Sequence, residues 1–255
     1  MNILWVFAHP DHRSLNGSLR DAAVKSLVDR GHTVEQSDLY RMNWNPVVSA
    51  ADYGHDTADR LHVATASSNA LRDGALAEDI ADEQAKLDWA DAVVLQFPLW
   101  WFSMPAILKG WVDRVFIEGF GYGIRRDSGG TRRYGDGLMA GTRAMIVTSM
   151  GGSEHTVAPR GINGSLDELL FPIQHGFFWY TGMSVLPPVL IPSADRMTDG
   201  TYDAAERELT QRLSTLFTDE PIPYHAQNSG AYDEKFVLRP EHSEGDSGVR
   251  VHTRA

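Results

Sequence analysis

The chain has 255 residues, 42% of them apolar, and carries 34 acidic against 23 basic side chains for a formal charge of −11 at pH 7. That length and apolar content suffice for a sizeable α/β core, which excludes disorder throughout, and the acidic balance, with no Lys/Arg run longer than two, argues against nucleic acid as a partner. The absence of cysteine removes disulfides, thiol catalysis and thiolate metal sites together, and no apolar run approaches the roughly 18 residues of a membrane span.

Ile3 to Ala8 is an unbroken apolar run ended by His9-Pro10, the pattern of a central strand buried on both faces. It is too short for a signal-peptide core and lacks a basic flank, so the chain is read as cytoplasmic. Ser14-Leu15-Asn16-Gly17-Ser18 supplies capping residue types before the periodic Leu19, Ala22, Ala23 and Leu27, which predict a helix closed by Gly31. Thr33 to Asp38 reads as a second strand, Ile80 to Trp89 as a helix and Ala92 to Phe97 as the third strand, with 54–79 left as a long loop. Ala106 to Val115 is helical, and the Gly/Arg-rich stretch Gly119 to Gly141 is a second long loop, of a length that is usually functional. Arg143 to Ser149 is a fourth strand, Leu166 to Gln174 a helix, Ser184 to Leu190 a fifth strand and Ala204 to Phe217 the last helix.

Strands alternating with helices in this way predict a doubly wound α/β fold. Its five-stranded parallel sheet has order 2-1-3-4-5, with helices on both faces and the switch point between strands one and three. No internal repeat or linker divides the chain. Residues 1–238 are therefore read as one domain, and 239–255, charged and non-periodic, as a mobile tail.

Ligands of such sheets bind beyond the carboxyl ends of the strands, and three segments there carry chemistry. The turn from His9 to Gly17 leads into a helix N-terminus, where free N–H groups and the helix dipole favour an anion; Arg13, Ser14 and Asn16 add donors, although Ser14 and Asn16 equally suit plain capping. Phe97-Pro98-Leu99-Trp100-Trp101-Phe102 joins a buried strand to a helix. Three consecutive aromatics cannot all face one core, so at least one is free to wall a planar ring. Ser149-Met150-Gly151-Gly152-Ser153 has paired glycines that either let the backbone approach a ligand or make an ordinary turn. The chain has no G-x-G-x-x-G after strand one, no P-loop and no nucleophile elbow, and His9 and His12 lack carboxylates in register, so no metal site is expected.

Taken together these motifs resemble the flavodoxin-like NAD(P)H quinone oxidoreductases, or DT-diaphorases, and their bacterial relatives, over roughly residues 1–240. The resemblance rests on His9-Pro10 with Ser14 to Gly17, Ser37 to Tyr40 with Met42 to Pro46, and Gln96 to Phe102 with Pro105 to Trp111. It continues through Gly151-Gly152, Arg160 to Gly164 and Pro172 to Gly176. It implies that His9, Leu15 and Asn16, with Ser14, hold flavin phosphates and adjoining groups. Pro98, Leu99, Trp100, Trp101 and Phe102 would wall the isoalloxazine, Ser149, Met150, Gly151 and Gly152 would line its other edge, and Tyr122 within Gly121-Tyr122-Gly123 would contact substrate across a homodimer interface.

Two positions depart from that pattern. Where the family's vertebrate members carry a Tyr and a His at the flavin's pyrimidine edge, this chain has Val157 and Asn163. Asn163 can hydrogen-bond a flavin oxygen but cannot become cationic, and Val157 can do neither; His155 is the nearest imidazole in sequence. The resemblance implies two-electron transfer from NADH or NADPH through FAD, with FMN as the alternative cofactor, to a quinone-like acceptor by a ping-pong cycle. The other readings are a flavin-bearing regulatory subunit of a potassium efflux system and a flavodoxin-type electron carrier.

Overall fold

The computed structural model of the chain describes residues 1–127, 129–243 and 246–254. Strand β1 (Asn2–Phe7) alternates strictly: Leu4, Val6 and the following Ala8 face one apolar layer, Ile3, Trp5 and Phe7 the other, and all six are fully buried. A strand buried on both faces needs a neighbour on each side and a helical layer above and below. β1 pairs in parallel with β2 (Thr33–Asp38) on one side and β3 (Ala92–Pro98) on the other, and β3 pairs with β4 (Arg143–Ser149). The order is β2-β1-β3-β4-β5, as the sequence pattern predicts, with the fifth position occupied by two pieces, β5 (Ser184–Val185) and β6 (Val189–Ile191), both paired to β4. The single strand expected from Ser184 to Leu190 is thus corrected. Pro187 and Pro188 have no N–H to give the ladder, and they break it between the two pieces.

Helix α1 (Leu15–Asp29) covers one face through Leu19, Ala23 and Leu27. The segment 54–79 is not a continuous loop: α2 (Val63–Asp73) lies within it, ended by Gly74 in the left-handed region at φ 66°. Its buried positions are Ser67 and Ala70, small side chains rather than large apolar ones. The opposite face is covered by α3 (Glu78–Trp89), α4 (Ala106–Val115) and α5 (Leu166–Ile173), whose Ile80, Leu87, Leu108, Trp111 and Leu170 pack with Leu4 and Val6. The last helix, α6 (Asp199–Ser214), lies beside α1 and begins five residues earlier than its apolar pattern suggests, because Thr198 caps it. Among the described residues no helix is long and apolar enough to cross a membrane.

Pro172 interrupts the hydrogen-bonding register at the end of α5, and the chain continues as a wider π-type turn, Gln174–Trp179. That turn carries His175 inward, stacked on Phe171 at 4.5 Å between ring centroids. Residues set apart by composition as a tail run back over this corner: the His225 amide donates to the His252 carbonyl (2.9 Å), and the Tyr232 hydroxyl and His252 Nδ1 lie 2.9 Å apart.

Two stability effects follow. Trp111 is fully buried and donates its indole N–H to the buried Glu83 carboxylate (2.7 Å), so Trp111→Ala removes a large apolar body and a partner of a buried charge. Denaturant unfolding should show a loss of about 3–5 kcal/mol. His175 is held neutral: burial first, then the nearby His252, pushes its pKa down to about 4. Its folded pKa lies below the unfolded value, so the unfolded chain binds more protons between about pH 6.5 and about pH 4 and stability falls as pH drops through that window. Unfolding curves measured across it should show a shallower pH slope for His175→Gln than for wild type.

Candidate functional site

The carboxyl ends of β1, β3, β4 and β6 are held level by backbone bonds that continue past the strands. Ala8 N–H donates to the Gln96 carbonyl (2.9 Å), Leu99 N–H to Ser149 (2.7 Å) and Met150 N–H to Ile191 (3.0 Å). The loops that leave these ends enclose a cavity of about 320 Å³. Of the expected cofactor-binding residues, His9, Ser14, Leu15, Asn16, Pro98, Leu99, Trp100, Ser149, Met150 and Gly151 line it, whereas Trp101, Phe102 and Gly152 do not.

A buried polar chain fixes the floor of this cavity. The Trp5 indole donates to Gln96 Oε1 (2.9 Å), Gln96 Nε2 donates to the Asn16 carbonyl (2.8 Å), and Asn16 Nδ2 donates to Ser149 Oγ (2.9 Å). The Ser149 hydroxyl donates back to Asn16 Oδ1 (3.2 Å), so the loop after β1 is tied to both β3 and β4 through side chains that are almost wholly inaccessible to solvent. Asn16 therefore holds its loop in place with its side chain and turns its backbone amide to the helix start.

Ser14 is the N-cap of α1, accepting from the Gly17 N–H (3.2 Å), while the first-turn amides of Leu15 and Asn16 have no acceptor among the described residues. A methyl group on Gly17 would overlap the His12 carbonyl, so only glycine lets the turn close this tightly. The His9 ring is anchored through Nδ1 to the Asp11 backbone, leaving Nε2 for another partner. Arg13, expected among the anion donors, instead faces Asp11 in an exposed pair; that contact holds the Asp11 carboxyl down to about 2.

Trp100 and Ser103 exchange both backbone hydrogen bonds (3.1 Å each), which makes Trp101 and Phe102 the corner of a tight turn. Both have positive φ, 50° and 61°, a conformation that side chains other than Gly and Asn adopt at a cost of about 1–3 kcal/mol each. The turn swings Trp101 fully outward, 94% exposed, with Phe102 at 44% and Trp100 at 45%.

The remaining expected residues stand apart from the cavity wall. Tyr122 is half-buried in the 119–141 loop, its phenol pKa raised by burial first and then by Glu118 and Tyr180. Asn163 is half-buried with its amide bonded to the Thr156 carbonyl (3.0 Å), His155 is exposed on a short turn, and Val157 is buried. Gly121 is buried, and Gly123 has φ 76°. No group of three potential metal ligands occurs among the described residues. Ala194 and Asp195 line the cavity and were not expected; they follow β6, whose end at Ile191 lies one residue beyond the strand end read from the sequence. The strand-end rule, applied to the fifth strand, points to this segment.

Comparison with known proteins agrees with this architecture. A family model described as flavodoxin-like fold matches residues 1–213. The chain is 44% identical to a ribosyldihydronicotinamide dehydrogenase-like protein of Penicillium crustosum, over 100% of this chain and 96% of that one. It is 35% identical to NAD(P)H dehydrogenase (quinone) 1 of Rattus norvegicus, over 89% of this chain and 81% of the other. A crystal structure of a candidate quinone reductase from Klebsiella pneumoniae superposes with a TM-score of 0.95 at 45% identity, covering 99% of both chains.

Gln96→Leu tests the polar chain. It leaves the buried Trp5 indole N–H without its acceptor, worth about 1–3 kcal/mol when buried and unsatisfied, and removes the bond that ties the Asn16 carbonyl to β3. Denaturant unfolding should show a loss of that order, and the Asn16–Ser149 contact should loosen, read as faster amide hydrogen exchange at residues 14–17.

Proposed function

Because the chain belongs to the flavodoxin-like family of NAD(P)H quinone oxidoreductases, we propose that it is a flavin-dependent, two-electron quinone reductase. The observation that carries this reading is the convergence of an anion-ready helix start, an aromatic loop and a close-approaching glycine backbone on one cavity. The residues present suit a flavin. Unpaired amides at Leu15 and Asn16 and the α1 dipole meet a phosphate, with His9 Nε2 as a further donor. Pro98, Leu99 and Trp100 offer a wall for the ring, and the Ser149–Gly151 backbone lines the cavity with them. A flavin bound there would supply the hydride-transfer chemistry between NADH or NADPH and a quinone-like acceptor, donor and acceptor using the same pocket in turn.

The protein's part is positioning. The strained Trp101–Phe102 turn presents aromatic surface that a monomer leaves in water, which favours a homodimer in which Tyr122, between Gly121 and Gly123, reaches the partner's substrate. FAD is favoured over FMN by the long 54–79 and 119–141 segments, and the unit that binds it is taken as residues 1–238. The cysteine-free, acidic composition suits the cytoplasm. At the pyrimidine edge Asn163 orients the ring by a neutral hydrogen bond, and His155, exposed, stands by.

Stopped-flow mixing of the flavin-loaded protein with NADH or NADPH should bleach the visible flavin band, and a quinone should restore it; a fully loaded protein that neither donor reduces would refute the enzyme reading. Asn163→Ala should slow reduction by about 0.5–1.5 kcal/mol in activation free energy and leave its pH profile unchanged. A single ionisation in the His range that His155→Ala abolishes would transfer the acid–base role to His155.

A further inference from the structure

The strand-end cavity holds one carboxylate that neither the anion-seeking turn nor the aromatic loop accounts for. Asp195 lines it from the segment after β6 and is the only acidic residue of that lining.

Backbone bonds fix where this segment lies. The Ser193 N–H donates to the Gly152 carbonyl (2.8 Å) and the Ala194 N–H to the Met150 carbonyl (2.9 Å), which ties the chain after β6 at two points to the glycine loop after β4. Ser193 itself has a φ of 55°, left-handed and uncommon outside glycine, and the Arg196 N–H closes a turn onto the Ser193 carbonyl (2.9 Å). That turn brings the Asp195 carboxylate against the Gly151 backbone. A methyl group on Gly151 would overlap Asp195 Oδ2, so glycine at this position leaves the carboxylate its room.

Asp195 is exposed, and among the described residues its side chain accepts no hydrogen bond and joins no salt bridge. An ionised carboxylate only accepts, so a ligand lying over it has to present donors. Across the cavity the demand is reversed. β3 and β4 separate β1 from β6 in the sheet, and on the β1 side the Leu15 and Asn16 amides and His9 Nε2 are free to meet an anion. A ligand with a phosphate on the α1 start and hydroxyl groups at Asp195 satisfies both sides, whereas a phosphate placed at Asp195 would be repelled.

We infer that Asp195 is a specificity-determining residue of the cofactor site, accepting hydrogen bonds from neighbouring hydroxyls on the cofactor's sugar or polyol chain. This role rests on the flavin reading and adds to it the residue that recognises the chain rather than the ring or the phosphate. Two carboxylate oxygens suit two adjacent hydroxyls, and an acidic residue holds the ribose of dinucleotide-binding folds in a similar way. The ribityl chain of any flavin nucleotide and the ribose that FAD alone adds both offer such hydroxyls, and ligands carrying one, both or neither tell them apart.

The test is titration of the full-length chain, freed of cofactor, with FAD, FMN, riboflavin and lumiflavin, read by flavin fluorescence. Asp195→Ala should weaken FAD by about tenfold or more, the loss expected when charge-assisted hydrogen bonds are removed, and Asp195→Asn, which keeps one acceptor oxygen, should lose less. Lumiflavin, which has neither chain, should behave alike with all three proteins. A matching loss for riboflavin and FMN assigns the ribityl hydroxyls and a loss confined to FAD assigns the ribose; either supports the role of Asp195. An equal loss for lumiflavin would mark a distorted cavity and overturn it. Wild-type protein that binds none of the four would refute the flavin reading and this role with it, whereas tight FAD binding retained in both variants would overturn the role of Asp195 alone.

Discussion

Gln96 is the constraint on which the rest of the site depends. It sits fully buried on the central strand β3 and uses both ends of its amide, accepting from Trp5 on β1 and donating to the Asn16 carbonyl at the start of α1. A buried amide left half-satisfied costs about 1–3 kcal/mol, so the three elements settle where all of its bonds can be made at once. Asn16 extends the same chain to Ser149 on β4. The helix start that offers free amides is thereby fixed relative to the two strand ends that carry the aromatic loop and the glycine pair.

A second lock works on the opposite face. Arg114 of α4 grips Asp52 with two hydrogen bonds (3.0 and 3.1 Å), Asp79 with two more (2.6 and 3.1 Å) and the Asn45 carbonyl (3.2 Å), lying 4.6 Å from the Trp44 ring. It binds the segment after β2 to α3 and α4. With the frame held at both faces, the protein can keep the Trp101–Phe102 corner strained and its aromatic surface in water. Backbone strain of this kind is affordable only on a rigid support, and it falls at the loop that walls the cavity.

The strands were legible because β1, β3 and β4 are almost continuous apolar runs ended by Pro, Ser or Gly, a pattern with few alternatives at that length. The fifth position was legible as a strand but was read as one piece, although Pro187-Pro188 within the run already signals a broken ladder. Helix α2 escaped because its buried positions are Ser and Ala, and Asp195 because the residues after the fifth strand carry no ligand motif. Most of the cavity wall was readable from motif order and the strand-end rule. The outward turn of Trp101, the capture of Arg13 by Asp11 and the Gln96 relay were not, because each depends on a tertiary partner or backbone angle that residue spacing does not carry.

The central claim is that the strand-end cavity binds a flavin. It is tested most directly by the visible absorption spectrum of the purified protein, with the released cofactor identified by mass. The purified protein should be yellow, with the spectrum of an oxidised flavin, and FAD should be recovered on denaturation. A colourless protein that takes up neither FAD nor FMN on incubation would contradict it.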